Sequence, residues 1–432
     1  MINQLPGLVL VAALWLSASA GLLWVLHGRQ LVALWREPVF AVPVLIVESD
    51  DWGPGPDADA EALRALASML GTVRDCAGQP AVMTLGVVAG VPDGSAIHAS
   101  DCIRYVRRTL AEPEFAALVE VMRAGVASGV FALQRHGLEH FWPATLLARL
   151  ASGAVAGTSE TAKNGEPRAL RDWLGTAHTR SEALPSALQS RWVDCSHLPS
   201  TRLDPHEVEA AVREEAALLR QLFGAAPDVA VPNTFVWDDG VEIAWAASGV
   251  RCIVTPGCRY EGRDAAGLLA SATLRIHNGE RSRTGVCYVV RDVYFEPVRG
   301  HHAERVWQAL DERVAQGRPA LVETHRDSFI GTPDTSRAAL TELERALQGA
   351  LVRHPALRFM STSELARELC DADSALRAHT LGPRLAAWFA RVQAEASLSR
   401  ILKFTGLAVV LRLFRGLLRS EADHRTRSAQ SC

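Results

Sequence analysis

The stretch 44-VLIVESDDWGPG-55 drives four apolar residues into a glutamate, a serine and two adjacent aspartates, Asp50 and Asp51, before a tryptophan and two glycines. The apolar run reads as a strand buried within a sheet. Two carboxylates side by side at its end repel, and burial makes each charge costlier still. A compensating cation is therefore expected beside them, and a metal ion is the candidate.

Working outward, short β-branched runs alternate with longer amphipathic stretches. Strands are predicted over 42–48, 81–88, 129–134, 227–231, 251–254, 286–291, 319–324 and 357–361. Helices are predicted over 58–70, 113–124, 143–153, 205–223, 239–248, 302–316, 335–350 and 362–370. The helix at 205 carries a start signal in Asp204, Pro205 and Glu207. Such alternation specifies an α/β fold with a parallel sheet and crossover helices. About seven to eight parallel strands over residues 40–375 point to an irregular (β/α) barrel, whose site sits at the C-terminal strand ends. Residues 154–204, richer in Ser, Thr, Ala and Gly, read as an insertion or long loop.

Composition bounds the function. Of 432 residues 48% are hydrophobic, enough for a large core, and the formal net charge of −3 argues against a nucleic-acid binder. None of the eight cysteines forms a C-x-x-C pair, which argues against a disulfide framework or a cysteine metal site. Residues 5–26 are free of charge, long enough to cross a hydrocarbon core, and residues 1–28 are expected to form a membrane anchor. Arg29 and Arg36 follow this run and no Lys or Arg precedes it, so a single-pass helix is expected to leave the bulk of the chain on the cytoplasmic side. Residues 380–420 are expected to form an amphipathic, membrane-associated helical tail, because Arg412, Arg415 and Arg419 share one face of an apolar helix. Residues 421–432 read as a disordered tail.

Polar chemistry gathers at the ends of the predicted strands. Asp50 and Asp51 follow the first strand, His136 and His140 the third, and His325 the seventh; the strand near 231 ends in Asn233, Trp237, Asp238 and Asp239. The i, i+4 spacing of His136 and His140 lets both imidazoles face one metal ion. Asp51 or Asp50 completes three protein ligands and leaves a position for water, the open arrangement of catalytic sites. The other aspartate then serves as general base, and His325 protonates the leaving group from across the mouth. Asp238 before Asp239-Gly240 reads as a helix cap, and His301-His302 as a surface pair in reserve.

These motifs resemble those of the NodB-like polysaccharide deacetylases of the family 4 carbohydrate esterases. Glu48-Ser49-Asp50-Asp51 is similar to that family's first motif, which implies Asp50 as base and Asp51 as metal ligand. His136-Gly137-Leu138-Glu139-His140 resembles its paired metal histidines, and Leu321-Val322-Glu323-Thr324-His325 the strand bearing its acid histidine. The resemblance implies a distorted barrel, a divalent metal such as Zn2+, and removal of N- or O-acetyl groups from an acetylated glycan. Two departures stand out. Val229–Trp237 keeps Pro232 but lacks the family's base-orienting arginine, and the aspartate that tunes the acid histidine has no clear match beyond Asp292 or Asp327. Asn233, Trp237 and Arg291 are the expected substrate contacts. Two rivals remain: a non-catalytic glycan-binding barrel, and a zinc peptidase in which His136–His140 is read as H-x-x-E-H with Glu139 as base.

Overall fold

The computed structural model describes residues 5–155, 165–176, 181, 184–270, 272 and 275–410. The central sheet contains β1 (Val44–Trp52), β2 (Met83–Val87), β3 (Phe131–Arg135), β4 (Val229–Ala230), β5 (Cys252–Thr255), β6 (Cys287–Val290), β7 (Val293–Tyr294), β8 (Ala320–His325) and β9 (Arg358–Phe359). Eight strands follow the order β6-β5-β4-β3-β2-β1-β8-β7, and β9 pairs with β1. Each pairing along that path is parallel. β1 is buried at all nine positions, as a central strand covered on both faces must be.

The sheet curls through an irregular joint. β6 and β7 are separated only by Arg291 and Asp292, yet β6 pairs with β5 and β7 with β8. One bent strand therefore bridges the two margins of the sheet, which is how this short-stranded barrel comes round. The two-residue β7 is the strand that periodicity does not predict, because two residues carry no readable alternation.

Helices lie where the amphipathic runs place them. Asp204 caps Pro205–Phe223 by accepting from the His206 N–H at 2.8 Å, and Gly224 ends it at φ 81°. Asp238 caps Asp239–Ala247 by accepting from Val241 N–H at 3.0 Å. The aspartate pair of β1 has no such duty: the next helix begins at Asp57, after Pro56. The segment read as an insertion carries a helix over Gly165–Leu174.

By contact density the chain divides into two units, the barrel unit being Leu45–Ala309 with Ala320–Cys370. The other unit is built around the helix Leu5–Arg36, whose 32 residues extend about 48 Å at 1.5 Å per residue. Leu10, Val11, Leu14, Leu22, Val25 and Leu26 on it are exposed. Its length and apolar character suffice to cross a membrane. Leu23, Leu31 and Leu34 instead pack against Val392, Leu398 and Leu402 of the helices Leu381–Ala394 and Ala396–Thr405. Buried Arg391 ties these helices down by donating to the carbonyls of Leu34, Glu37 and Pro38. The amphipathic C-terminal stretch is interrupted at Gly406, where φ is 80°, and Arg412, Arg415 and Arg419 lie outside the described residues.

Candidate active site

Parallel register builds the site. β1 and β8 pair so that Glu48 stands beside Glu323 and Asp50 beside His325. Side chains alternate along a strand, so Glu48 and Asp50 share a face, as do Glu323 and His325. Strict alternation would send Asp51 to the opposite face. Instead the register of β1 against β2 shifts between Ser49 and Trp52, and Asp51 adopts φ 73°. This local irregularity re-aims the strand end, so both aspartates line one cleft of about 490 Å³ with His136, His140 and His325. A left-handed aspartate is uncommon and costs free energy, which the surrounding packing must sustain. Gly86 of β2 leaves room for the other carboxylate, since a Cβ there would meet Asp50 Oδ1 at 2.3 Å.

His136 and His140 leave β3 through Gly137, at φ 91°. His136 Nδ1 donates to the Val231 carbonyl at 2.9 Å, which fixes the tautomer and leaves Nε2 with its lone pair. His140 Nδ1 faces Gln189 Oε1 at 3.0 Å. The Gln189 amide nitrogen donates to the carbonyls of Ser181 and Leu184, so its oxygen is the atom that remains for His140. Both Nε2 atoms thus point inward, 3.0 Å apart, and Asp51 Oδ1 lies 3.2 Å from that of His136 and closer to that of His140. Asp51 Oδ1 is buried without a hydrogen-bond donor. Three lone-pair atoms converge with no proton among them, and a divalent cation fits that donor set.

The adjoining half of the cleft is organised differently. Arg291, leaving β6, places NH1 at 2.7 Å from Asp50 and 3.1 Å from Glu48, and NH2 at 3.3 Å from Glu323. An arginine absent from Val229–Trp237 is thus supplied by the bend between β6 and β7. Burial would raise the Asp50 pKa, but Arg291, then His136 and His325, outweigh it and hold the carboxyl below its ordinary value. Glu48 lies deeper; burial, against the pull of Arg291, pushes it up to about 7.

His325 Nδ1 donates to Glu296 Oε1 at 2.5 Å, and Ser328 and Thr324 also donate to that carboxylate. Burial works to lower the His325 pKa, but the Glu296 hydrogen bond and the charges of Asp51 and Asp50 raise it to about 10. Nε2, the other end of the ring, faces the cleft, 3.7 Å from Glu323 Oε1. Glu296 therefore occupies the place sought at Asp292 or Asp327, on a turn that follows two-residue β7.

The other sequence-derived residues fall elsewhere. Asn233 is fully buried and donates from its amide to the His136 carbonyl at 2.9 Å, so it positions a ligand strand and is not a lining residue. Trp237 is fully buried in the core with Trp192, Trp245 and Val241. Arg291 reaches the cleft with its guanidinium already committed to three carboxylates.

Glu139 corrects the peptidase reading. It is 1% exposed, paired with Arg191 at 2.8 Å and with Arg107, and accepts from Tyr105 Oη at 2.9 Å. With two cations holding it, and no helix through His136–His140, it is no base for water at those histidines. His301 and His302 lie outside both groups able to hold a metal, Asp51–His136–His140 and Asp50–Glu323–His325: His301 Nδ1 accepts from the Glu296 backbone N–H at 3.0 Å, and the His302 side chain is exposed. Glu48, Glu323 and Gln189 carry no site role on sequence alone, although strand alternation two residues before Asp50 and His325 marks the first two.

No family model matches this chain, and no curated protein matches its sequence. Among solved structures it is similar to a family 4 carbohydrate esterase from Streptomyces lividans, with TM-score 0.33, 11% identity, and coverage of 73% of this chain and 90% of that one. A family 4 acetyl xylan esterase from Clostridium thermocellum gives TM-score 0.33 and 11% identity over 74% of this chain and 89% of that one. A 4-alpha-glucanotransferase from Thermococcus litoralis gives 0.39 and 9% over 76% of this chain and 40% of that one. These neighbours differ in named activity, so the chemistry of this chain rests on the atoms of its own cleft.

Proposed function

We propose that the protein is a metal-dependent hydrolase that removes acetyl groups from a glycan. The observation that carries this reading is the juxtaposition, in one cleft, of the Asp51–His136–His140 cluster with Asp50 held by Arg291 and His325 held by Glu296. Asp51, His136 and His140 would hold the cation, with Zn2+ suited to two imidazoles and one carboxylate. Such a cation supplies Lewis-acid chemistry, acidifying water and polarising an acetyl carbonyl.

The protein's own groups divide the proton transfers. Asp50, kept ionised by Arg291, takes a proton from the attacking water. His325, held by Glu296 with Nε2 free, gives a proton to the departing sugar nitrogen or oxygen. Two neighbouring titrating groups driven to opposite protonation states divide the base and acid roles between them. Arg291, 2.7 Å from Asp50, supports the catalytic reading over that of a non-catalytic barrel. The exposed apolar helix Leu5–Arg36 supports a single-pass anchor, with Arg29 and Arg36 favouring a cytoplasmic catalytic domain.

The test is acetate release from N- and O-acetylated oligosaccharides by the zinc-loaded full-length protein, with and without a chelator. Release that stops on chelation and returns with zinc is the expected outcome. Stoichiometric metal binding with no acetate from any acetylated glycan would replace this reading with that of a glycan-binding barrel.

A further inference from the structure

Glu323 is a carboxylate that neither the metal cluster nor the acid–base pair requires. It stands two residues before His325 on the same face of β8, and only 15% of its side chain is exposed. Oε1 lies 3.7 Å from His325 Nε2 and 3.3 Å from Arg291 NH2. His325 Nδ1 is committed to Glu296, so Nε2 is the atom that delivers the proton. A heteroatom accepting that proton must come within hydrogen-bond reach of Nε2, about 3 Å. Glu323 Oε1, 3.7 Å from that nitrogen, is then within reach of it.

The charge on that heteroatom separates two reactions. When His325 protonates an amide-derived nitrogen, the nitrogen becomes cationic before the C–N bond breaks. Both bonding electrons then pass to nitrogen, leaving a neutral amine that recovers a proton from the acetic acid formed. When an ester-derived oxygen takes the same proton as the C–O bond breaks, it departs as a neutral alcohol. A carboxylate at this point stabilises positive charge that builds in the first case only.

Charge in the cleft is consistent with that duty. Asp50, Asp51, Glu296, Glu323 and Asp327 face it beside Arg291, Arg299 and His325. Among these carboxylates Glu323 is the one that approaches the acid's Nε2. An acceptor that only held Arg291 in place would not need to approach His325.

Resting on the hydrolase reading above, we infer that Glu323 selects the leaving group, making the site an amidase for acetamido sugars in preference to an esterase for acetoxy sugars. The contact is with the departing nitrogen.

The test uses the zinc-loaded full-length protein and Glu323→Gln with 2-acetamido and 2-acetoxy forms of one β-1,4-linked glucose oligomer. The substitution is expected to lower kcat/KM for the acetamide at least about tenfold while the acetoxy rate stays within about twofold, the loss of one charge-assisted contact. Equal losses on both substrates, or none on the acetamide, overturn the inference while the hydrolase reading stands. Calorimetry provides a readout without turnover: at mildly acidic pH the wild type should bind the 2-amino oligomer at least about tenfold more tightly than its 2-hydroxy counterpart, and Glu323→Gln should bind the two alike. Equal binding by the wild type overturns the inference. Acetate release from neither substrate, with amine preference retained, instead overturns the hydrolase reading alone.

Discussion

The two halves of the cleft solve the same problem, negative charge at the end of buried β1, in opposite ways. Asp50 meets Arg291 at 2.7 Å and stands beside protonated His325, which Glu296 holds in turn. Charges there alternate, and side chains supply both signs. Asp51 meets only the inward Nε2 atoms of His136 and His140, each with its proton fixed on the far nitrogen. The protein completes the first half and leaves the second to a cation. Adjacent aspartates thus receive unequal treatment, one kept as a base and the other as a ligand.

The sharpest way to break the comparison is to remove the ligands. His136→Ala and His140→Ala should each abolish stoichiometric zinc binding, read by elemental analysis of dialysed protein, and lower acetate release by about a thousandfold or more, as loss of the principal electrostatic element does. Unchanged metal content would place the cation elsewhere. The acid–base half should fail differently. Arg291→Met strips the counter-charge from Asp50, Glu48 and Glu323 and should cost about 3–5 kcal/mol of stability in denaturant titration, the usual penalty for uncompensated buried charge. Metal content should persist. Activity should fall about a hundredfold, with the acid limb of the pH–rate profile moved upward, because Arg291 opposes the burial that raises Asp50. Loss of metal in this variant would show that the halves are one unit.

Much of this was legible in residues. Eight strands were readable from apolar runs, and the sites at Asp50, Asp51, His136, His140 and His325 lie at their ends as periodicity places them. What escaped depends on pairing and on bends. That Asp51 turns back into the cleft follows from a shift of β1 against β2, which no alternation along β1 alone can reveal. That Arg291 reaches Asp50 follows from a strand that changes partners over two residues. Glu296 follows β7, a strand too short for a pattern. Asn233 and Trp237 mislead for a complementary reason: a strand end supplies polar and aromatic side chains to the core as readily as to the mouth, and burial separates the two only once packing is known.

The smallest expected effect tests how the acid–base half is tuned. Burial alone would lower the His325 pKa; Glu296 is the foremost of the groups that raise it to about 10. A general acid must be protonated to act, so activity should hold from above the depressed Asp50 pKa up to the His325 pKa and decline as pH rises through it. Glu296→Gln keeps the shape and an acceptor oxygen but removes the negative charge. The alkaline limb should move to lower pH, and kcat at neutral pH should fall about tenfold as His325 loses orientation and proton occupancy. Zinc content and the acid limb should stay, since Asp50 and the ligand cluster do not contact Glu296. A cation near Asp51 also opposes the charge that helps raise His325, so the metal-loaded limb should lie below about 10 even in the wild type. An alkaline limb that does not move between wild type and Glu296→Gln would take His325 out of the proton transfer, and with it the division of the cleft into a metal half and an acid–base half.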